Sequence, residues 1–390
     1  MQSFQTLPSK LPRVGTTIFT VMSKLAADVG ALNLSQGFPS FPADPALLEL
    51  VTKAMRANHN QYAPMAGVPM LRDAIAQKTA DVYGISYNPD TEITVTSGAT
   101  EALYAAITAV VQPGDEVIVF EPAYDSYVPA IELAGGIPVY ITLTPPDYGV
   151  NWAQVAEAIT ERTRLILVNT PHNPTNRVWT GDDLNQLAHL IRDRDIFVIA
   201  DEVYEHITFD QRPHVSLLQH PGLQERTFVV GSFGKTFHVT GWKIGYCLAP
   251  AELTVEFRKI HQFLTFSVST PMQYALAEYL QQPERYLELP AFYQQKRDLF
   301  LQAIAGSRFR YVPTEGTFFQ NVSYETITNE SDYDLAIRLT NEIGVASIPV
   351  SVFYDQKNDY NILRFCFAKD DDTLLRAGER LVKWSVASRH

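Results

Sequence analysis

The residues with the clearest chemical potential lie in the stretch from Phe228 to Gly245, FVVGSFGKTFHVTGWKIG. An apolar run ends at Gly231, a short turn presents Lys235, and a second lysine, Lys243, follows eight residues later. A buried lysine loses its proton readily, and its free amine suits Schiff-base chemistry with a carbonyl group. Two cations in a glycine-containing loop could also hold an anion. A solvated loop with ordinary lysines would give the same pattern, so the stretch alone leaves both interpretations open.

One competing motif in this stretch is excluded by the sequence. Gly-Lys-Thr resembles the end of a phosphate-binding P-loop, but that motif requires glycine at position 229, where the chain has Val229.

Length and composition indicate a soluble globular protein with one large and one smaller domain. The chain has 390 residues, of which 46% are hydrophobic and 19% charged. A net charge of −12 argues against a nucleic-acid partner. Two cysteines are too few for a disulfide scaffold or a zinc site, and they fit a reducing compartment. Since the N-terminus has no apolar signal region and no 18-residue apolar window occurs, we expect a cytoplasmic protein without a membrane partner. We also expect no bound metal.

The middle of the chain alternates between apolar runs and helical patterns. The runs predict strands at 93–98, 116–122, 137–143, 164–170, 197–204, 227–233 and 244–250. Helical patterns at 99–111, 124–134, 151–160 and 181–194 lie between them. This alternation is typical of an α/β fold, and it predicts a mostly parallel seven-stranded sheet covered by helices on both faces.

The pattern changes after Pro250, where helical segments at 251–264, 270–281 and 283–305 lead into short strands at 316–323 and 362–368. A further helix is predicted near 332–343. These elements indicate a second, smaller α+β domain. We therefore predict a large domain at 41–284 and a small domain formed by 285–390 together with the N-terminal arm and helix in 1–40.

Polar residues follow several predicted strands, at the edge where ligands bind in open α/β sheets. Ser97-Gly98-Ala99-Thr100 opens a helix whose free N–H groups could bind an anion, although a plain helix cap has the same sequence. Tyr124 could stack on a planar ligand or belong to the core. Asn173 lies in a Pro-His-Asn-Pro turn, where asparagine is also a common turn former.

Asp201 and Arg364 are more informative, because each is a charged residue in an apolar run. A buried carboxylate needs a partner for its charge, and Tyr204 adds a hydroxyl three residues after Asp201. A buried Arg364 would suit bidentate binding of a carboxylate, whereas an edge-strand arginine would face water. With Lys235 and the anion site, these residues predict pyridoxal phosphate, which offers an aldehyde, a basic ring nitrogen and a phosphate.

The chain resembles the fold-type-I pyridoxal-phosphate aminotransferases of classes I and II. The resemblance rests on phrases that span nearly the whole chain in the family's order: NLSQGFP, QYAPMAGVPMLR, TVTSGATEALYAA, NTPHNP, DEVYEHI, SFGKTFHVTGWKIGY and LRFCFAK. It is strongest for the branch that includes methionine, kynurenine and glutamine transaminases. It implies a homodimer that moves the amino group of an apolar or aromatic L-amino acid, one like methionine, to a 2-oxo acid.

The resemblance also implies roles for the residues around the cofactor ring. Lys235 would bond to the cofactor aldehyde and later act as a general base. Asp201 would pair with the pyridine nitrogen and keep it protonated. Tyr204 and Asn173 would hydrogen-bond the ring hydroxyl, and Tyr124 would stack on the ring face.

Further residues would bind two anionic groups, one on the cofactor and one on the substrate. The cofactor phosphate would be bound by Gly98, Ala99, Thr100, Ser232 and Lys243, and by Tyr62 of the neighbouring subunit. The substrate α-carboxylate would be bound by Arg364, next to Asn173 and with help from the backbone at Gly37. Lys243 departs from the family, because many relatives have arginine there, so the phosphate contact would be a point charge. Asn176 stands where glycine is usual, and asparagine tolerates the same left-handed turn.

Three alternatives differ in how far the sequence excludes them. A lyase on the same scaffold, such as a C–S β-lyase, shares every cofactor residue and stays open. A transcription regulator would need a basic segment before Asn33, where the arm is too short. A nicotinamide dehydrogenase would need Gly-x-Gly-x-x-Gly after a strand, and none occurs.

Substrate choice has the weakest support in the sequence. No second arginine is plainly placed for a dicarboxylate side chain. Phe19 and Phe266 could line an apolar pocket for methionine or an aromatic side chain, although both could equally be core residues.

Overall fold

The computed structural model describes residues 7–387. Residues 1–6 of the predicted arm and 388–390 of the predicted small domain lie outside the described part. The strands are β1 (Leu32–Asn33), β2 (Ile93–Thr96), β3 (Glu116–Glu121), β4 (Ile137–Thr142), β5 (Thr163–Asn169), β6 (Phe197–Asp201), β7 (Thr227–Ser232), β8 (Gly245–Leu248), β9 (Phe319–Ser323), β10 (Val345–Ala346), β11 (Ile348–Pro349) and β12 (Ile362–Cys366).

The helices begin with α1 near the N-terminus and end with the long α15. They are α1 (Ile18–Val29), α2 (Pro45–Arg56), α3 (Pro69–Tyr83), α4 (Gly98–Val110), α5 (Tyr127–Leu133), α6 (Trp152–Ala158), α7 (Gly181–Ile191), α8 (Pro221–Gln224), α9 (Phe233–Thr236), α10 (Ala251–Leu264), α11 (Thr270–Tyr279), α12 (Glu284–Leu287), α13 (Leu289–Ile304), α14 (Asp332–Glu342) and α15 (Asp371–Ala387).

A seven-stranded sheet forms the centre of the molecule, in the order β2-β8-β7-β6-β5-β3-β4. Only β8 runs antiparallel to its neighbours, β2 and β7. Strands β3, β5 and β6 are buried almost throughout, as expected for strands covered on both faces. The predicted fold class and all seven predicted strands are confirmed.

Two boundaries differ from the prediction for clear physical reasons. Strand β6 ends at Asp201 rather than at position 204, because the backbone turns away from the sheet after Glu202 donates its N–H to Val230. The predicted helix 283–305 is divided into α12 and α13, and Pro290 lies in the first turn of α13, where proline starts a helix well.

Residues from both chain ends build the smaller sheets. Strands β11, β12 and β9 form an antiparallel sheet in which Arg364 lies opposite Asn321. Strand β1 pairs in parallel with β10, and α1 packs against α14. These contacts fit a small domain made of 1–40 and 285–390, whose boundaries stay a prediction.

A buried group of polar residues, the Lys78–Glu205 network, connects α3 to the segment after β6. The Lys78 ammonium is paired with the Glu205 carboxylate, and it donates to the Tyr246 hydroxyl at 2.8 Å. Tyr246 and Tyr83 both donate to Glu205. Burial raises the pKa of Glu205, but the Lys78 ammonium and these donors outweigh it and hold that pKa well below its usual range.

Residues 7–387 contain neither of two features that would point to other functions. No helix in that range is long and apolar enough to cross a membrane. Within the same range, no group of histidine, cysteine or acidic side chains could hold a metal ion.

Candidate active site

The candidate site is a cavity of about 130 Å³ at the carboxyl ends of β5, β6 and β7, beside the start of α4. This is the edge of an α/β sheet where ligands bind. The cavity is lined by Gly98, Ala99, Thr100, Leu103, Tyr124, Tyr127, Asn169, Asn173, Asp201, Val203, Tyr204, Ser232, Gly234, Lys235, Thr240, Lys243 and Ile244. The structure therefore brings ten of the predicted site residues together.

Asp201 provides the acidic end of the cavity as the last residue of β6. Its Oδ2 accepts a hydrogen bond from the Tyr127 hydroxyl at 2.6 Å, and its Oδ1 accepts from the Val203 N–H at 3.3 Å. Burial raises the pKa of Asp201 to about 6, against the effect of these two donors. A cation beside this carboxylate would therefore be strongly favoured.

Lys235 lies in the short helix α9, directly after β7. Its Nζ donates to the carbonyl oxygen of Gly37 at 3.1 Å and lies 5.5 Å from the centre of the Tyr204 ring. Burial lowers the pKa of Lys235 to about 8, helped by the nearby cations Lys243 and Arg364. A substantial fraction of this amine is thus free to act as a nucleophile or base near neutral pH.

The start of α4 and Lys243 form a cationic end opposite Asp201. Gly98 has φ +77°, which favours glycine, and a Cβ at this position would meet the Lys243 Nζ at 3.1 Å. The ammonium therefore lies directly over the first turn of α4, where backbone N–H groups have no partner within the helix. Ser232 and Thr100 add hydroxyl groups to the same end of the cavity. This set of donors suits a phosphate.

Two tyrosines form walls between the ends. Tyr124 is half-buried and packs edge-on against Tyr127, with 5.7 Å between ring centres. Tyr204 is buried and packs edge-on against Phe318 at 5.1 Å. Their positions allow one ring face and one hydroxyl to contact a planar ligand in the cavity.

Arg364 lies next to this cavity and is almost fully buried, with 1% of its surface exposed. Its Nη1 donates to Asn173 Oδ1 at 2.5 Å, and its guanidinium lies 3.9 Å from the centre of the Phe319 ring. Within the described residues, Arg364 Nε and Nη2 have no hydrogen-bond partner. Burial lowers the pKa of Arg364 to about 10, so it stays charged at neutral pH. Two unused donors on one buried cation suit a carboxylate.

The remaining predicted residues divide into two groups. The centre of the Phe19 ring lies 5.6 Å from the Arg364 guanidinium, and Phe19 packs against Phe353, so it lies beside the predicted substrate-binding arginine. Tyr62 and Phe266 pack edge-on against each other at the surface and do not line the cavity of their own chain. Tyr62 is 83% exposed.

A larger cavity of about 490 Å³ lies between residues 145–148 and 310–315. Four of its five charged side chains are paired within the protein: Arg310 with Glu325, Glu315 with Arg212, and Arg177 with Asp183. It contains no lysine or buried acid, so we assign the chemistry to the smaller cavity.

Sequence reasoning missed two residues whose side chains hydrogen-bond Asp201. Asn169 ends β5, where its Nδ2 donates to the Asp201 carbonyl at 2.8 Å and its Oδ1 accepts from the Asn173 N–H at 2.7 Å. Asn169 could have been found from the sequence, because it is a polar residue at the end of a predicted strand. Tyr127 gave no such signal, because it falls inside a predicted helix and reaches Asp201 only through the fold.

Comparisons with known proteins agree with this geometry. The family model described as aminotransferase class I and II matches residues 29–381. Methionine aminotransferase of Escherichia coli is 54% identical over 96% of this chain and 97% of its own length. Kynurenine–oxoglutarate transaminase of Dictyostelium discoideum is 36% identical over 95% and 94%.

Two solved structures are also similar over almost their whole length. The crystal structure of YbdL from Escherichia coli, which identified a methionine aminotransferase function, has a TM-score of 0.96 at 53% identity and covers 97% of this chain and 100% of its own. N-Succinyldiaminopimelate aminotransferase from Mycobacterium tuberculosis has a TM-score of 0.94 at 37% identity, with 97% and 100% covered.

Proposed function

Because the chain belongs to the class I and II aminotransferases, we propose that it uses pyridoxal phosphate to transfer the amino group of an apolar or aromatic L-amino acid to a 2-oxo acid. Methionine is the proposed preferred donor, and the two half-reactions follow each other in a ping-pong cycle. The lyase alternative shares the site but is set aside, since the family and the relatives described above are aminotransferases.

One observation carries the cofactor proposal: Lys235 lies in the same cavity as a buried carboxylate and a glycine-floored cationic end. Asp201 would bind the ring nitrogen. Gly98, Ala99, Thr100, Ser232 and Lys243 would bind the phosphate. Tyr124 would cover the ring face, and Tyr204 with Asn173 would bond the ring hydroxyl. When bound, pyridoxal phosphate supplies an electron-withdrawing ring that stabilises negative charge at the substrate's Cα.

The protein's own residues would perform the positioning and the proton transfer. Arg364 would bind the substrate carboxylate through its two unused donors, beside Asn173 and Gly37. This contact would fix the Cα–H bond toward Lys235, whose free amine would remove the Cα proton as a general base. Buried aromatic rings around Lys235 would exclude water, and Asp201 would hold the counter-charge of the ring nitrogen.

The lining of the site supports an apolar side chain on the substrate. Among residues 7–387, Lys235 and Lys243 are the only basic side chains that line the cavity. The lining of the cavity in that range includes no arginine that could bind a second carboxylate, on the substrate side chain. Phe19, Phe319 and Phe353 surround Arg364. The relative YbdL, with its methionine aminotransferase function, is consistent with this choice.

We propose a homodimer and a cytoplasmic location as well. Tyr62 and Phe266 would reach the active site of the partner subunit, since they are exposed and do not line the cavity of their own chain. Both cysteines are buried free thiols, which fits a reducing compartment.

The test is a donor panel measured with one fixed 2-oxo acid on the wild-type protein and on Lys235→Ala. We expect methionine and aromatic amino acids to be the best donors of the wild type. Lys235→Ala should lose both transamination and the absorbance of the covalently bound cofactor, because no other amine occupies that position.

Lys24→Ala is the matched control, because Lys24 is an exposed lysine on α1 that pairs with Asp28. It should behave as wild type. Turnover by Lys235→Ala would overturn the assignment of the lysine. Glutamate or aspartate as by far the best donor would overturn the apolar pocket. Release of ammonia together with pyruvate, without transfer of the amino group to the added 2-oxo acid, would restore the lyase alternative.

A further inference from the structure

The side chains of Tyr127 and Asp201 form a buried pair in the wall of the cavity. Tyr127 is 2% exposed and Asp201 is 4% exposed. The tyrosine is the first residue of α5, and its hydroxyl reaches the end of β6 to donate to Asp201 Oδ2 at 2.6 Å. The other oxygen, Oδ1, accepts from the Val203 N–H, so both carboxylate oxygens are held from the protein side.

We propose that Tyr127 is a positioning residue that keeps Asp201 ionised and oriented toward the ring nitrogen of the cofactor. This inference rests on the proposed function, since it assigns the acid of that site its partner. The role belongs to a hydroxyl that touches the acid and not the substrate.

The direction of the hydrogen bond follows from the surroundings of the pair. Burial and the Asp201 carboxylate both raise the pKa of Tyr127 well above its usual value, so the phenol keeps its proton and donates it. On the Asp201 side, burial raises the pKa, and the Tyr127 donor is the strongest group that lowers it, before Val203 and Lys235. Glu202 acts in the opposite direction, and the hydroxyls of Tyr124 and Tyr204 face Asp201 as neutral groups.

Tyr127→Phe removes the donor and keeps the ring that packs against Tyr124. Loss of a hydrogen bond to a charged group changes the pKa of that group by about one to two units. Without the hydroxyl, the Asp201 titration should therefore move from near 6 to about 7–8. At pH 7 much of Asp201 would then be protonated and unable to act as a counter-ion.

The first measurement is a carboxyl ¹³C NMR titration of the cofactor-free protein labelled at aspartate. Asp201→Asn identifies the Asp201 signal by its absence. We expect the signal to titrate about one to two pH units higher in Tyr127→Phe than in the wild type. An unchanged titration would overturn the proposal.

The second measurement is the dissociation constant of pyridoxal phosphate from pH 6 to 9. Tyr127→Phe should weaken binding about two- to ten-fold at pH 7, and the difference should close near pH 9, where Asp201 is ionised in both proteins. In an Asp201→Asn background the substitution should have no such effect. An equal loss in that background would assign Tyr127 a packing role only and overturn the proposal. A wild-type protein that binds no pyridoxal phosphate would overturn the proposed function itself, and with it this inference.

Discussion

At the scale of single residues, burial determines the chemistry of Lys235 more than its neighbours in sequence do. The side chain enters an aromatic and aliphatic pocket after β7, and this burial is the main cause of its pKa near 8. Lys243 lowers the pKa further by electrostatic repulsion, which gives the second lysine a chemical role beside its expected phosphate contact.

We predict that Lys235 of the cofactor-free protein reacts with acetic anhydride in a titration whose midpoint lies near pH 8. Only the unprotonated amine reacts, so labelling should be low below this pH and should reach a plateau above it. Lys243→Gln should move the midpoint upward, because it removes a repelling cation. Peptide-level mass spectrometry measures the labelling, with exposed Lys24 as internal reference. A midpoint above 10 in the wild type would contradict the prediction.

The site residues at strand ends could be predicted from the sequence, whereas the residues that contact them in the fold could not. Asp201, Lys235 and Asn173 stand out because each is a polar residue at the end of an apolar run or in the short turn that follows it. Tyr127 could not be assigned, since its contact with Asp201 spans 74 residues and depends on how α5 packs. The exposure of Tyr62 and its distance from its own cavity are likewise properties of the tertiary structure.

At the scale of elements, the segment after β6 contributes side chains both to the cavity and to a buried polar network. Asp201 and Tyr204 line the cavity, while Glu205 points into the Lys78–Glu205 network. The network anchors this segment to α3 and to Tyr246 of β8. We therefore expect the position of Asp201 to depend on a buried ion pair that does not line the cavity.

Lys78→Met should destabilise the fold by about 3–5 kcal/mol at pH 7, because it leaves the Glu205 carboxylate buried without its cation. Since the pKa of Glu205 is held low in the folded wild type, the stabilisation it provides is present above the unfolded pKa and is lost as pH falls. Urea unfolding at pH 7 measures the effect. Lys53→Met, at an exposed ion pair, is the control. Equal small losses in both variants would contradict the role of the network.

Replacing both members of the pair supplies a further comparison. Lys78→Met combined with Glu205→Leu should be more stable than Lys78→Met alone, because no uncompensated charge remains.

The lengths of the strands show which elements could be predicted from the sequence. Long apolar strands such as β5 were predictable, but the two-residue strands β1, β10 and β11 are too short to show a period.

At the scale of the whole molecule, an exposed aromatic group suggests where two subunits meet. Phe263 is 91% exposed at the end of α10, close in sequence to Phe266, which packs on Tyr62. Exposed aromatic side chains of this kind are typical of protein interfaces. The prediction of a dimer rests on this surface and on the remoteness of Tyr62 from its own cavity.

Phe263→Asp should shift the protein from dimer toward monomer, because a charge would be buried in the interface. Activity should fall with it, and both should recover at high protein concentration. Sedimentation velocity measures the assembly. Leu375→Asp, at a half-exposed position on α15, is the control and should stay dimeric. A fully active monomer of either protein would contradict the shared active site.

The Lys78–Glu205 pair also limits which sequence changes and which recombinants of this chain can fold. Its two members are 127 residues apart, so a crossover between them can separate them in a single event. A chimaera that takes α3 from one parent and the segment after β6 from another would inherit an unmatched buried charge wherever the parents differ at one of these positions. Breakpoints between positions 78 and 205 should therefore yield folded hybrids only when both parents carry the same pair.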